Sequence, residues 1–243
     1  MRKISKGIVI NVSKYSSANA VVTVISTDGK ITFNITNVYK PKSNFKECLL
    51  VGNIIEFDYD VLNSEFCKIL SVKLIYDISK KYTSYNMGLF LMYFSSSLQR
   101  YSLYNENRSD EELEVYFTIL ENLDEENYLV SSLLFTSNLI RYLGLLPDTE
   151  SCIYCGKTNN LVSFSFSEGG FVCKDCVNRN MHPFYSKTEL QVIRFSFFPF
   201  SKENLFRKVP YDSLKRVLLD MNTYLQNQFQ YSVDRNLLSL LSE

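Results

Sequence analysis

The chain has 243 residues, 46% of them apolar and 21% charged, which excludes intrinsic disorder and collagen-like or mucin-like classes and leaves room for one to three domains around a sizeable core. Lys plus Arg equals Asp plus Glu at 26 each, so net charge alone would never suggest a nucleic-acid binder. The distribution does: Met1 to Lys46 carries a net +7, and Lys81 to Glu150 a net −7.

Residues from Lys3 to about Asp77 alternate β-branched and aromatic residues with polar ones between turn signals. Five strands are predicted, over Ser5 to Val12, Ala20 to Ser26, Ile31 to Val38, Ile54 to Leu62 and Phe66 to Ile75, with Thr27-Asp28-Gly29-Lys30 as the clearest turn. Five short strands in about 75 residues fit a small closed barrel of the OB type, a fold that often binds single-stranded nucleic acid. Cys48 and Cys67 are read as small core hydrophobes of this barrel.

From about Lys80 the period becomes helical. Tyr82, Tyr85, Leu89, Met92 and Tyr93 share helical spacing, and Ser109 with Glu112 forms a capping box ahead of Leu113, Tyr116, Phe117 and Leu120. A third helix is predicted from about Asn127 to Leu143, with Gly144 in the C′ place and Pro147 beyond. Their aromatic and Met stripes are read as core packing. After a cysteine-bearing insert, helical periodicity resumes at the Ser186/Glu189 capping box and over Tyr211 to Phe229. The fold class is therefore α+β: an OB-fold domain over 1–78 and an α-helical domain over 79–243, interrupted by a metal-binding insert at 151–179.

The insert carries the strongest motif, Cys152-Ile153-Tyr154-Cys155 followed after seventeen residues by Cys173-Lys174-Asp175-Cys176. Each Cys-x-x-Cys turn aims two thiolates at one point, and the spacer suits a hairpin that joins the turns into a tetrahedral Cys₄ zinc site. Gly156 relieves the first turn, and Gly169-Gly170 sits where the hairpin reverses. With all four ligands thiolate, one structural Zn²⁺ with no open position for water is expected.

Catalytic signatures are absent from the sequence. His182, the only histidine, lies in Met181-His182-Pro183 without a nucleophile elbow, and is read as a loop or capping residue. Neither a Walker loop nor a GxGxxG is present, and Glu111-Glu112 and Asp124-Glu125-Glu126 are read as helix-start carboxylates. No signal peptide or membrane span is convincing, so a cytoplasmic, non-enzymatic protein is expected.

Lys40-Pro41-Lys42-Ser43-Asn44-Phe45-Lys46 concentrates three cations in seven residues, with Tyr39 beside them. Cations neutralise phosphates and aromatic faces stack bases, so Tyr39, Lys40, Lys42, Phe45 and Lys46 are the candidate DNA contacts, with Arg2, Lys3, Lys6, Lys14 and Lys30 as supporting charges. A solvated basic loop is the alternative reading of the same residues.

Four stretches resemble the RecO family of bacterial recombination mediators: Gly7-Ile8-Val9; Gly29-Lys30-Ile31; Lys40-Pro41-Lys42-Ser43-Asn44-Phe45; and Leu143-Gly144-Leu145-Leu146-Pro147-Asp148 leading into Cys152, Cys155, Phe164-Ser165, Gly169-Gly170, Cys173 and Cys176. The resemblance implies an OB-fold, a helical domain carrying a zinc module, binding of single- and double-stranded DNA, and annealing of complementary strands. It also implies partnership with RecR, recognition of the C-terminal tail of single-strand binding protein, and a functional link to RecA. Where the family usually has charged residues after Tyr15, this chain has Ser16-Ser17-Ala18-Asn19-Ala20. A different class of function, a scaffold whose basic barrel holds an acidic protein partner with little DNA binding, is the alternative.

Overall fold

A computed structural model describes residues 2–40, 43, 45–61, 67–102, 109–178, 180–198, 203–206, 208–232 and 234–242. Two compact units emerge, Met1–Glu125 and Glu126–Glu243.

In the first unit, β1 (Arg2–Lys14), β2 (Ala20–Ser26), β3 (Gly29–Ile35), β4 (Ile54–Val61) and β5 (Cys67–Tyr76) form a closed barrel in the order β1-β2-β3-β5-β4. The alternating sequence of β3 shows why: Ile31, Phe33 and Ile35 are buried while Lys30, Thr32 and Asn34 are exposed. Pairing drives β1 beyond its predicted bounds, because its first half pairs β4 from Arg2↔Asp60 and its second half pairs β2 up to Lys14↔Ala20. Val9, Val22, Val24, Phe33, Ile55, Phe57 and Tyr59 fill the interior, with the Phe33 and Phe57 rings edge-on at 5.4 Å. Cys48 belongs to this core and Cys67 packs against it.

Two helices, α1 (Tyr85–Tyr101) and α2 (Asp110–Asn122), fall in the barrel's unit. Ser84 caps α1 by accepting from the Met87 N–H, and Gln99 of α1 donates to the Ile10 carbonyl beside the β1 bulge. The face α1 buries carries Met87, Phe90, Leu91, Phe94 and Leu98, leaving Tyr85 and Met92 exposed rather than in the core. Ser109 caps α2 as the sequence predicts, whereas the buried Glu112 carboxylate accepts from the Tyr116 hydroxyl at 3.1 Å.

In the second unit α3 (Tyr128–Tyr142) is buried along most of its length and packs on α5 (Tyr211–Phe229). It ends as predicted: the Gly144 and Leu145 N–H groups donate to the Arg141 and Ile140 carbonyls. Next come β6 (Asp148–Cys152), β7 (Leu161–Ser165) and β8 (Gly170–Cys173), a sheet in the order β6-β8-β7, then α4 (Lys187–Ser196) and, at the end, α6 (Arg235–Ser242). The Ser186/Glu189 capping box is complete at the start of α4. Arg194 of α4 donates to the Thr149 carbonyl and lies over the Phe171 ring, fixing the sheet to the helices. Among the described residues no helix is long and apolar enough to cross a membrane.

Candidate metal centre and nucleic-acid interface

The sheet of the second unit brings the two cysteine turns together. Cys152 ends β6 opposite Phe171, the Ile153 N–H donates to the Phe171 carbonyl, and Cys173 ends β8 opposite Leu161. Such close contact between β6 and β8 demands glycine at 170, since a Cβ there would lie 2.7 Å from the Asp148 carbonyl oxygen and 2.6 Å from Ile153 Cγ2. The four Sγ atoms of Cys152, Cys155, Cys173 and Cys176 lie within 4.8 Å of one another, with Cys155 and Cys173 at 3.7 Å. Bonds of about 2.3 Å to a central tetrahedral metal space sulfurs about 3.8 Å apart, so the donor set fits a thiolate-bound metal ion. Cys152 and Cys173 are buried, Cys155 is exposed and Cys176 half-buried.

The thiols are electrostatically unequal. Burial opposes ionisation of Cys152, but N–H groups of Cys173, Tyr154 and Cys155 outweigh it and bring the thiol down to about 6. Cys176 is pushed up to about 12, first by its contacts with Cys155 and Cys173. Four sulfurs this close cannot all carry charge without a cation, and a bound metal supplies one.

His182, which its sequence context marks only as a loop or capping residue, is buried beside this centre. Its Nδ1 accepts the Asn178 N–H at 2.9 Å, so Nε2 carries the proton and donates to Glu168 Oε2 at 2.8 Å. The other Glu168 oxygen accepts from the Tyr154 hydroxyl. That hydroxyl, more than any other neighbour, holds the Glu168 carboxyl below the usual carboxylate range, and Tyr154 rises in return to about 12. No local sequence signal pairs these residues, which stand 14 and 28 positions from His182.

The basic head does not converge on one surface. Arg2 lies against Asp58, with Nε 2.9 Å from both carboxylate oxygens, and holds that carboxyl below its usual range. Lys3 pairs with Asp28 at 3.2 Å, and Lys6 pairs with Glu114 at 3.3 Å while lying over the Phe117 ring. Tyr59 also donates to Asp28, and burial foremost, then this carboxylate, pushes its hydroxyl up. Strand register shows the pattern: on the outer face acidic β4 runs between basic β1 and β5, as Arg2–Asp60–Lys68 and Lys6–Glu56–Lys73.

The opposite end of β1 differs. Lys14 lies 5.0 Å from the Tyr39 ring, and the β1–β2 loop is tied to the β3–β4 loop by Tyr39 N–H to the Ala18 carbonyl and Asn37 N–H to Asn19 Oδ1. Lys40 follows on the exposed surface, and Lys46 lies further along the same loop. Among the described residues, Lys14, Lys40 and Lys46 have no carboxylate partner. Tyr39 and Phe45 are half-buried and pack against the barrel core, so each offers an edge or one face rather than a free ring. Lys30 is exposed opposite Ile25, five positions along β2 from the partner of Lys14, or about 17 Å. Lys42 lies outside the described residues.

Family models described as recombination protein O N terminal and recombination protein O C terminal match residues 1–77 and 89–197. A DNA repair protein RecO of Caldanaerobacter subterraneus is 30% identical over 184 residues, covering 71% of this chain and 70% of its own length. That of Halalkalibacterium halodurans is 24% identical over 211 residues, covering 83% and 79%. A Bacillus cereus relative with the same description is 23% identical over 225 residues, covering 90% and 89%.

Proposed function

The chain belongs to the RecO family of DNA repair proteins, and from that membership we propose that it is a non-enzymatic recombination mediator: it binds single- and double-stranded DNA, anneals complementary strands and, with RecR, helps load RecA onto DNA coated by single-strand binding protein. The observation that carries the DNA-binding part is the Lys14–Tyr39–Lys40 end of the barrel, where cations without carboxylate partners gather beside an aromatic ring. Phosphates of one strand replace the counterions of Lys14, Lys40, Lys42 and Lys46, and a base edge rests on Tyr39 or Phe45. Annealing then needs no covalent step, because neutralised phosphates let two strands approach. Arg2, Lys3, Lys6 and Lys30 contribute at longer range. The helical part, 79–243, engages protein partners, the site for the binding protein's C-terminal tail is not assigned to particular residues, and the working place is the cytoplasm.

The metal in this reading is one structural Zn²⁺ held by Cys152, Cys155, Cys173 and Cys176. Zinc there neutralises the thiolates and supplies folding free energy. One molar equivalent of zinc in the purified protein is the direct check.

The deciding experiment is the annealing rate of two complementary strands, each coated with single-strand binding protein, with and without this chain. Acceleration supports the mediator. No acceleration by folded, metal-loaded protein transfers the basic barrel to the alternative role, capture of an acidic protein partner.

A further inference from the structure

The exposed and the half-buried ligand of the metal centre, Cys155 and Cys176, are the ones the sheet does not hold. Cys152 and Cys173 lie within paired strands, whereas Cys155 and Cys176 depend on their turns, through Gly156 N–H to the Cys152 carbonyl and Cys176 N–H to the Cys173 carbonyl. Among the described residues, two side-chain links besides the sulfur contacts join the turns. Lys157 of the first turn pairs with Asp175 of the second at 2.7 Å, but both side chains are more than half exposed, which leaves little net energy. The other link is sheltered at its His182 end. Glu168, at the β7–β8 reversal, accepts from Tyr154 inside the first turn and from His182 just after the second, and the His182 side chain is 3% exposed. The His182 backbone N–H donates to the Asn178 carbonyl while Nδ1 takes the Asn178 N–H, so His182 holds the segment that leaves Cys176 through both its backbone and its ring.

We propose that Tyr154, Glu168 and His182 form a clasp that holds the Cys155 and Cys176 turns in register and thereby sets how fast the centre releases its metal. The proposal rests on the reading of the four cysteines as a metal site. These three are positioning residues: none is a ligand, and they act through the backbone of the turns. A metal ion leaves only when one sulfur swings away, and the sulfurs outside the paired strands, those of Cys155 and Cys176, are the ones freer to swing. Each hydrogen bond to the Glu168 carboxylate opposes that movement, and charge-assisted bonds are the stronger kind. Because one carboxylate serves both donors, the clasp acts as a unit.

The test is zinc release from the intact, zinc-loaded chain into an excess of a colorimetric chelator. Tyr154→Phe, which deletes one hydroxyl from a ring that is already half exposed, should speed release about fivefold to tenfold, and Glu168→Ala should do so at least as strongly. Combining them should add little to Glu168→Ala, since the hydroxyl then keeps only its longer 3.3 Å contact with His182 Nε2. Glu168→Gln keeps an acceptor for His182 and should restore most of the retention. Lys157→Ala should change the rate less than twofold. Wild-type rates in both Tyr154→Phe and Glu168→Ala, or an equal acceleration by Lys157→Ala, overturn the clasp while leaving the metal site intact. Absence of metal from the purified wild-type chain overturns the metal site itself. Should Glu168→Ala fail to fold, Tyr154→Phe alone carries the decision.

Discussion

Replacing Lys14, Lys40 and Lys46 together by Ala should flatten the salt dependence of DNA binding, whereas replacing Arg2, Lys3 and Lys6 should barely change it. The first three have no carboxylate partner among the described residues, and the second three face Asp58, Asp28 and Glu114. Each phosphate contact on a single strand contributes about 0.7 to the slope of log K against log salt, so losing three contacts reduces that slope by about 2.1. Between about 50 and 200 mM salt the wild type should then lose roughly 20-fold more affinity than the first triple variant does. The second variant should change the slope by less than about 0.7, the equivalent of one contact. Fluorescence anisotropy of a labelled oligothymidylate across that range reads both numbers. Equal flattening by the two variants, or greater flattening by the second, would refute the assignment of the binding end and of the paired face together.

Cys152→Ser should lower soluble yield and abolish stoichiometric zinc, because structural zinc contributes about 10–16 kcal/mol to folding in small fingers; metal analysis and far-UV circular dichroism of the same sample check it. Gly170→Ala should destabilise by about 1–3 kcal/mol through its clash with Asp148 and Ile153, while Gly88→Ala on α1, whose added methyl meets nothing within 4 Å, should stabilise by about 0.5–1 kcal/mol; urea midpoints separate the two. Asp220 is raised, chiefly by burial, so the folded state holds its proton more tightly than the unfolded chain does. Its contribution to stability is fully present below the unfolded value near 3.8 and is lost as pH rises through the higher folded one. Asp220→Asn, which still accepts from Tyr185, should therefore raise the thermal midpoint at neutral pH and give no gain near pH 3; a lower midpoint at neutral pH would contradict the sign.

What the sequence made legible is what short-range physics controls. The Thr27–Gly29 turn, the Ser109 cap of α2, the Ser186/Glu189 box and the end of α3 at Gly144 depend on a few neighbouring residues. The two cysteine pairs were legible because metal geometry dictates their spacing. Long-range partners were not. Arg2 meets Asp58 across 56 positions, and nothing near either residue announces the other. Of the stripe read on α1, Leu89 and Tyr93 are buried while Tyr85 and Met92 are exposed, because period alone does not say how wide the buried face is or that it centres on Phe90, Leu91, Phe94 and Leu98. β6 carries too few apolar residues, in Asp148-Thr149-Glu150-Ser151, to announce a strand; it forms because β8 offers it hydrogen bonds.

The barrel closes through a parallel contact between β3 and β5 whose register, among the described residues, is the single pair Phe33 and Cys67. Where a seam leaves strand-edge backbone unpaired, another chain's strand can take it up, the first step toward a growing fibre. Along β3 the outward positions are Lys30, Thr32 and Asn34, and in β5 the exposed Lys68 follows Cys67. Two copies meeting edge to edge would bring these lysines together, so charge guards the seam against self-templating.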